Sequence, residues 1–410
     1  MTALSDPAAD PSARADLARR LDAVLRQIGE PATPLLVVDR DAFDANAREL
    51  VARAGGKPIR VASKSVRVPA LLERALASPG FSGVLSYNLR EALWLVDRGI
   101  SRDVVLGYPT VDKGALVRLA TTPAALTAVT LMIDDAAHLD VIDAARRTPE
   151  VPVRVAIDID AGLRVGGLHV GPKRSPLYDD DEVLDLVREV LRRPGFHLAG
   201  VMTYEGQVAG VPDDVPGQQA RSWLVRRLKD RSLAQLAERR ARLAERIGRL
   251  VELEFWNAGG SGSIEATSAD AAVTELAAGS GLLVPGLFDH YQAFQPRPAA
   301  FFGVPVVRRP GPGTVTVAGG GFVASGAAGR DRLPVPWLPP GLSLTGLEGA
   351  GEVQTPLTGP AAARLRIGDW VWFRHAKAGE LAEHGNQVHL VSGAAVVDTV
   401  PTYRGLGLAW

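Results

Sequence analysis

The sequence contains no cysteine. That absence excludes disulfides, thiolate nucleophiles and cysteine-ligated metals. It carries no surplus of either charge: Lys plus Arg and Asp plus Glu each number 46. The balance gives no reason to expect nucleic acid or an anionic membrane as a partner. No apolar run approaches the roughly 18 residues of a membrane-spanning helix. The opening stretch "MTALSDPAADPSARADLARR" has no apolar core of the secretory type, so a cytoplasmic protein is expected. No Gly-x-Gly-x-x-Gly follows the first apolar run, which counts against a dinucleotide-binding sheet.

What is present is a globular composition. Of 410 residues, 46% are hydrophobic and 22% charged, enough for a large core. Residues 1–14 are polar and rich in Ala, Asp and Pro, and are expected to be disordered. Residues 15–29 show helical periodicity. Eight apolar, β-branched runs then alternate with amphipathic stretches: 59–63, 83–87, 104–107, 130–134, 153–158, 197–203, 253–260 and 276–283. Such runs separated by helices predict a parallel sheet covered on both faces, and eight predict a (β/α)8 TIM barrel. The run "LLVVD" at 35–39 precedes the barrel. Beyond residue 296, Pro and Gly become dense and short strands such as "TVTVAGGGF" and "DWVWFR" appear. The expected organisation is a barrel domain over 15–295, with its preceding helix and strand, and a mostly β domain over 296–410. The strand at 35–39 is a candidate member of the latter.

Barrel chemistry sits at the C-terminal ends of the strands. The first run ends in Ser63-Lys64. The fifth leads into "DIDAGLRVGG", with Asp158, Asp160 and Arg164. The sixth ends in "TYEGQ", with Tyr204, Glu205 and Gln207. The seventh ends in "NAGGSGS", with Asn257, Gly259, Gly260, Ser261 and Gly262. The eighth is followed by Asp289, His290 and Tyr291. Each has an ordinary reading: a solvated strand-end lysine, an Arg164–Asp160 pair, a packing tyrosine, a flexible glycine turn. Together they suggest more. Glycine N–H groups at a strand-to-helix turn converge on phosphate. A lysine facing such a site suits a phosphorylated aldehyde held as a Schiff base, pyridoxal phosphate being the common one.

These motifs, in this order, resemble the fold-type III pyridoxal phosphate enzymes, the alanine racemase fold. Within that fold the sequence looks most like the D-threonine aldolase and D-serine dehydratase branch. The resemblance implies a barrel followed by a mostly β domain, and it covers roughly residues 33–400. "IRVASKSVRVPALLERAL" is similar to the Schiff-base segment, which places the cofactor on Lys64 and retains Arg60. Ala62 stands where that segment usually has histidine. The other motifs imply cofactor contacts from Arg164 at the ring, Tyr204 beside it, Asn257 and the Gly259-Gly260-Ser261-Gly262 loop at the phosphate, and Tyr291 near the phosphate.

The resemblance also implies a divalent metal held by His-x-Cys or His-x-Asp in the C-terminal domain. Here "FRHAKAGELAEH" offers His375, with Lys377 at the second ligand position. Three readings stay open. A metal is held by His375 with Glu380, His384 or a substrate oxygen. Alternatively, the Lys377 ammonium replaces the metal. Or the pair is an ordinary polar strand end. The implied activity is a lyase on D-3-hydroxy amino acids, by retro-aldol cleavage or dehydrative deamination, with Lys64, His375 and Lys377 as candidate catalytic residues. A racemase and a non-catalytic pyridoxal phosphate carrier are the alternatives. The implied partners are a small amino-acid substrate and a second copy in a homodimer.

Overall fold

The computed structural model describes residues 11–146, 151–294 and 297–410. They form two compact units. A barrel unit comprises Arg48–Lys64, Leu72–Gly279 and Trp410. A β unit comprises the described residues up to Ala47, Ser65–Leu71 and Ser280–Ala409.

Strand β1 (Leu35–Asp39) opens the β unit. The barrel then runs through β2 (Ile59–Ala62), β3 (Phe81–Ser86), β4 (Val104–Leu106), β5 (Val129–Ile133) and β6 (Val153–Asp158). A small hairpin of β7 (Leu163–Val165) and β8 (Leu168–Val170) follows. The barrel resumes with β9 (Phe196–Thr203), β10 (Phe255–Ala258) and β11 (Glu275–Ala278). These eight parallel strands close in the order β10-β11-β2-β3-β4-β5-β6-β9. All five residues of β5 and all three of β4 are buried, as expected of strands covered on both faces. Inside, Val105, Met132, Ala156, Ala199, Met202 and Phe255 form an apolar layer.

The seam between β11 and β2 closes the barrel, with Ala277 opposite Arg60. Arg60 is buried and donates from Nε and Nη2 to Glu275 at 2.9 and 2.7 Å. Its Nη1 pairs with Asp103 at 2.8 Å. Gly83, at φ +72°, makes room: a Cβ there would lie 2.4 Å from Arg60 Nη1.

In the β unit, β1 lies between β12 (Ala300–Gly311), antiparallel, and β18 (Gln387–Ser392), parallel. The sheet extends through β13 (Thr314–Ala318), β16 (Gln354–Thr358) and β15 (Ser343–Leu344) on one side, and β19 (Ala395–Pro401) on the other. Strand β17 (Trp370–Arg374) pairs with β12 and with β14 (Val335–Leu338). The helix Pro11–Ile28 lays Leu17, Leu21, Val24 and Ile28 on a core that includes Phe301, Trp337 and Trp372.

The expected boundaries therefore shift. Residues 11–14, expected disordered, begin this helix, with proline at its first position, where the missing N–H has no helical partner to lose. Residues 1–10 lie outside the described residues. The N-terminal helix and β1 belong to the β unit because β1 is an inner strand of its sheet. The expected boundary at 295–296 also lies outside the described residues, and the units divide at Gly279 and Ser280. Among the described residues, no helix is long and apolar enough to cross a membrane.

Candidate active site

Parallel strands carry their C-terminal ends to one mouth of the barrel. Lys64 follows β2 in the short turn Ser63–Ser65. The glycine-rich loop follows β10, only two strands away through β11. At roughly 4.8 Å between neighbouring strands, the two strand ends lie about 10 Å apart. Two stretches separated by almost 200 residues thus share one edge of the mouth.

Lys64 Nζ donates to the Tyr108 hydroxyl at 2.7 Å. Tyr108 follows β4 and was not singled out from the sequence. Arg174, also missed, brings its guanidinium carbon to 5.6 Å from the Tyr108 ring and 5.7 Å from the Tyr204 ring. Tyr204 directly follows β9 and is half-buried. Burial pushes its phenol up to about 12, with Glu205 and Tyr108 adding to the rise and Arg174 opposing it. It is therefore a neutral hydroxyl near pH 7. Asp158, buried at the end of β6, is pushed up to about 7, chiefly by burial and next by the Asp134 carboxylate, against the pull of Arg174.

Arg164 is carried by the β7–β8 hairpin. The β7–β8 hairpin turns on Gly166 and Gly167, both at positive φ (53° and 83°). Gln235 pairs with both the backbone N–H and C=O of Arg164, at 3.2 Å each. Its side chain is 47% exposed, 3.7 Å from Asp160, and packs 3.6 Å above the Tyr178 ring. Of the two arginines, Arg174 is the one beside Tyr204. Asp160 is held by His169 at 2.9 Å.

The glycine loop is shaped from behind by Glu205, which is fully buried. One carboxylate oxygen accepts from Ser263 Oγ at 2.9 Å and from Thr267 Oγ1. The other accepts from Arg240 Nη2 at 2.7 Å and from the Gly259 N–H at 3.4 Å. Arg240 reaches Asp270 at 3.2 Å and donates to Thr203 Oγ1 at 2.9 Å and to the Thr203 carbonyl at 2.8 Å. The Gly260 N–H donates to Ser263 Oγ at 3.1 Å, and Arg53 holds the Ser261 carbonyl at 2.8 Å. The amides of Gly259 and Gly260 thus fix the shape of the turn. Asn257 is directed into the barrel, where its amide donates to Glu275 at 2.8 Å. Gln207, in the same "TYEGQ" segment, donates to the Ala161 carbonyl at 2.7 Å.

The remaining expected residues belong to the β unit. Tyr291 packs in an aromatic cluster with Phe288 and Phe294, at centroid distances of 5.3 and 5.2 Å. Asp289 pairs with buried Arg374 at 2.7 Å. His375 is buried, and its carbonyl accepts from the Gly286 N–H at 2.9 Å. Lys377 Nζ donates to the carbonyl and hydroxyl of Ser325, both at 3.1 Å. The Ser325 N–H in turn donates to Glu380 at 3.1 Å. His384 stacks on Phe322 at 4.0 Å. Among the described residues, no three His, Asp or Glu side chains converge as a metal site. A lysine ammonium offers only donors, so these residues do not fit the implied divalent metal.

A closed parallel barrel with a following β unit of this kind is an alanine racemase-like fold. The chain belongs to the family described as alanine racemase, N-terminal domain, whose profile matches residues 38–286. A 3-hydroxy-D-aspartate aldolase from Paracoccus denitrificans (strain Pd 1222) is 27% identical over 255 residues, 60% of this chain and 59% of that protein. The match thus spans less than two thirds of that relative. A D-threonine aldolase from Filomicrobium marinum shares the fold with a TM-score of 0.73 at 23% identity, covering 91% of this chain and 95% of that one. A D-threo-3-hydroxyaspartate dehydratase from Delftia sp. HT23 gives 0.71 at 21%, covering 92% and 98%.

Proposed function

We propose that this protein is a pyridoxal phosphate-dependent lyase of D-3-hydroxy amino acids, cleaving Cα–Cβ or eliminating the β-hydroxyl. The observation that carries the reading is the placement of Lys64, two barrel strands from a preorganised glycine loop and bonded to Tyr108. Family membership and the names of the relatives, two aldolases and a dehydratase, support it.

The barrel residues fit the cofactor. A Cβ at Gly260 would come within 2.9 Å of Ala209 Cβ, so the loop keeps its small residue and its shape. Lys64 Nζ would carry the cofactor aldehyde, and the Gly262 end of the glycine turn would face its phosphate, the Gly259 and Gly260 amides being taken by Glu205 and Ser263. When bound, the cofactor supplies an electron sink for the pair left at Cα. Tyr108 Oη fixes the position of Lys64 Nζ. The neutral Tyr204 phenol supplies a hydrogen-bonding wall. Arg174 places a permanent positive charge at the mouth, where a substrate carboxylate would be attracted. Lys64 Nζ is also the amine that would move a proton at Cα of a bound substrate. We also propose a homodimer, as the resemblance implies; sedimentation at the mass of one chain would refute it.

The test is a panel of D-threonine, D-serine, D-3-hydroxyaspartate and D-alanine. Glycine plus an aldehyde, or ammonia plus a 2-oxo acid, is the expected product. Turnover of D-alanine to L-alanine alone would replace the lyase reading by a racemase. The purified protein is expected to be yellow and bleached by borohydride, and Lys64→Ala colourless. Colour retained in that variant would sink the assignment of Lys64.

A further inference from the structure

Resting on the lyase reading, we infer that this chain works without a divalent metal, and that the Lys377 ammonium supplies the fixed positive charge of the β unit's polar site. Three observations within that unit carry the inference. Lys377 follows β17, two residues beyond His375, at the second position of the ligand pair that the resemblance implies. Its Nζ is tied to two oxygens of Ser325 at 3.1 Å. Ser325 is itself fixed, because its N–H donates to both carboxylate oxygens of Glu380, at 3.2 and 3.1 Å.

The loop that carries Ser325 is built to hold this arrangement. Gly319 and Gly320 take positive φ, and a Cβ at Gly321 would lie 2.6 Å from the backbone of Gly351 and Glu352. Phe322 is packed between Phe302, at 4.7 Å, and His384, at 4.0 Å. Of the two side chains that could have completed a metal site with His375, Glu380 accepts from the Ser325 N–H and His384 stacks on Phe322.

A metal and an ammonium serve a hydroxylated or carboxylated substrate by the same elementary means. Each places positive charge beside an oxygen that gains negative charge during bond breaking. They differ in donor chemistry. A metal needs lone pairs from the protein, whereas an ammonium needs acceptors to position it. Ser325 supplies two acceptors, and a lysine supplies no lone pair. The local chemistry is therefore that of an ammonium site.

The experiment measures metal binding and turnover separately on the full-length holoprotein. Calorimetric titration with Mn2+ and Zn2+ is expected to show no saturable site in the wild type. A stoichiometric site that disappears in His375→Ala would overturn the inference, whatever the substrate proves to be. Turnover of a D-3-hydroxy amino acid is expected to change less than about twofold with chelator. Loss of turnover restored by added metal would overturn the inference while sustaining the lyase reading. Lys377→Met, which keeps the length of the stem but removes the charge, is expected to lower kcat about 100-fold, and Lys377→Arg to recover at least about tenfold of that. Equal rates in the three proteins, with unchanged unfolding transitions, would show that Lys377 only braces the loop and would overturn its proposed role.

Discussion

Replacing Glu205 by Gln tests whether the glycine loop is held from the barrel interior. The carboxylate accepts four hydrogen bonds, one from Arg240 and three from the loop and its following helix. The amide keeps one acceptor oxygen and turns an NH2 group toward donors. Breaking a buried ion pair by removing one partner costs about 3–5 kcal/mol. Arg240 retains Asp270 and Thr203, which puts the expected loss at the lower end, about 3 kcal/mol. Urea denaturation is the assay: the midpoint should fall with the slope unchanged. A double-mutant cycle with Arg240→Met should return a coupling of about 2 kcal/mol. Because the loop would hold the cofactor phosphate, cofactor affinity should weaken about tenfold, equivalent to about 1.4 kcal/mol. A Glu205→Gln protein within about 0.5 kcal/mol of wild type, with unchanged cofactor affinity, would refute the reasoning.

Two further outcomes follow from the mouth of the barrel. Asp158 titrates near 7 in the folded chain and near its ordinary value of 3.8 when unfolded. Between those values the folded state binds the proton more tightly, so stability falls as pH rises through that window. Three units correspond to at most about 4 kcal/mol. Asp158→Asn should flatten the profile of stability against pH between 4 and 7; parallel profiles for variant and wild type would reject the buried carboxylate. Arg174→Met should cut kcat/KM about 10- to 100-fold, mainly through KM, whereas Arg164→Met should stay within about threefold. Equal effects of the two substitutions would contradict the assignment of the mouth to Arg174.

The eight barrel strands were legible because strands such as β4 and β5, buried on both faces, leave uninterrupted apolar runs. Each observed strand overlaps its expected run. The β unit was legible only in texture. Its inner strand β1 pairs with β12 and β18, more than 260 and 350 residues away, and no local pattern encodes such pairing. Lys64 and the glycine loop stood out as separate strand-end motifs, and the barrel order sets their strands two apart. Arg174 was not, because a loop arginine is aimed by the fold around it. The surroundings of Arg164 are likewise set by the fold. The dipeptide Gly166-Gly167 between Val165 and Leu168 is a hairpin signal, and the hairpin carries Arg164 onto Tyr178. Tyr108 had no motif at all, only its position after β4.

The Arg60–Glu275 pair spans 215 positions and lies on the seam where the barrel closes. The chain between β2 and β11 must be gathered before they can pair, and closing so long a loop slows that step. The turn after β2 and the loop after β10 become neighbours only when the ring is complete. On the proposed reading, cofactor capture would report the pairing of β2 with β11, a step of high sequence separation. The appearance of a pyridoxal absorption band during refolding would time ring closure itself, separately from the earlier growth of helices seen by circular dichroism.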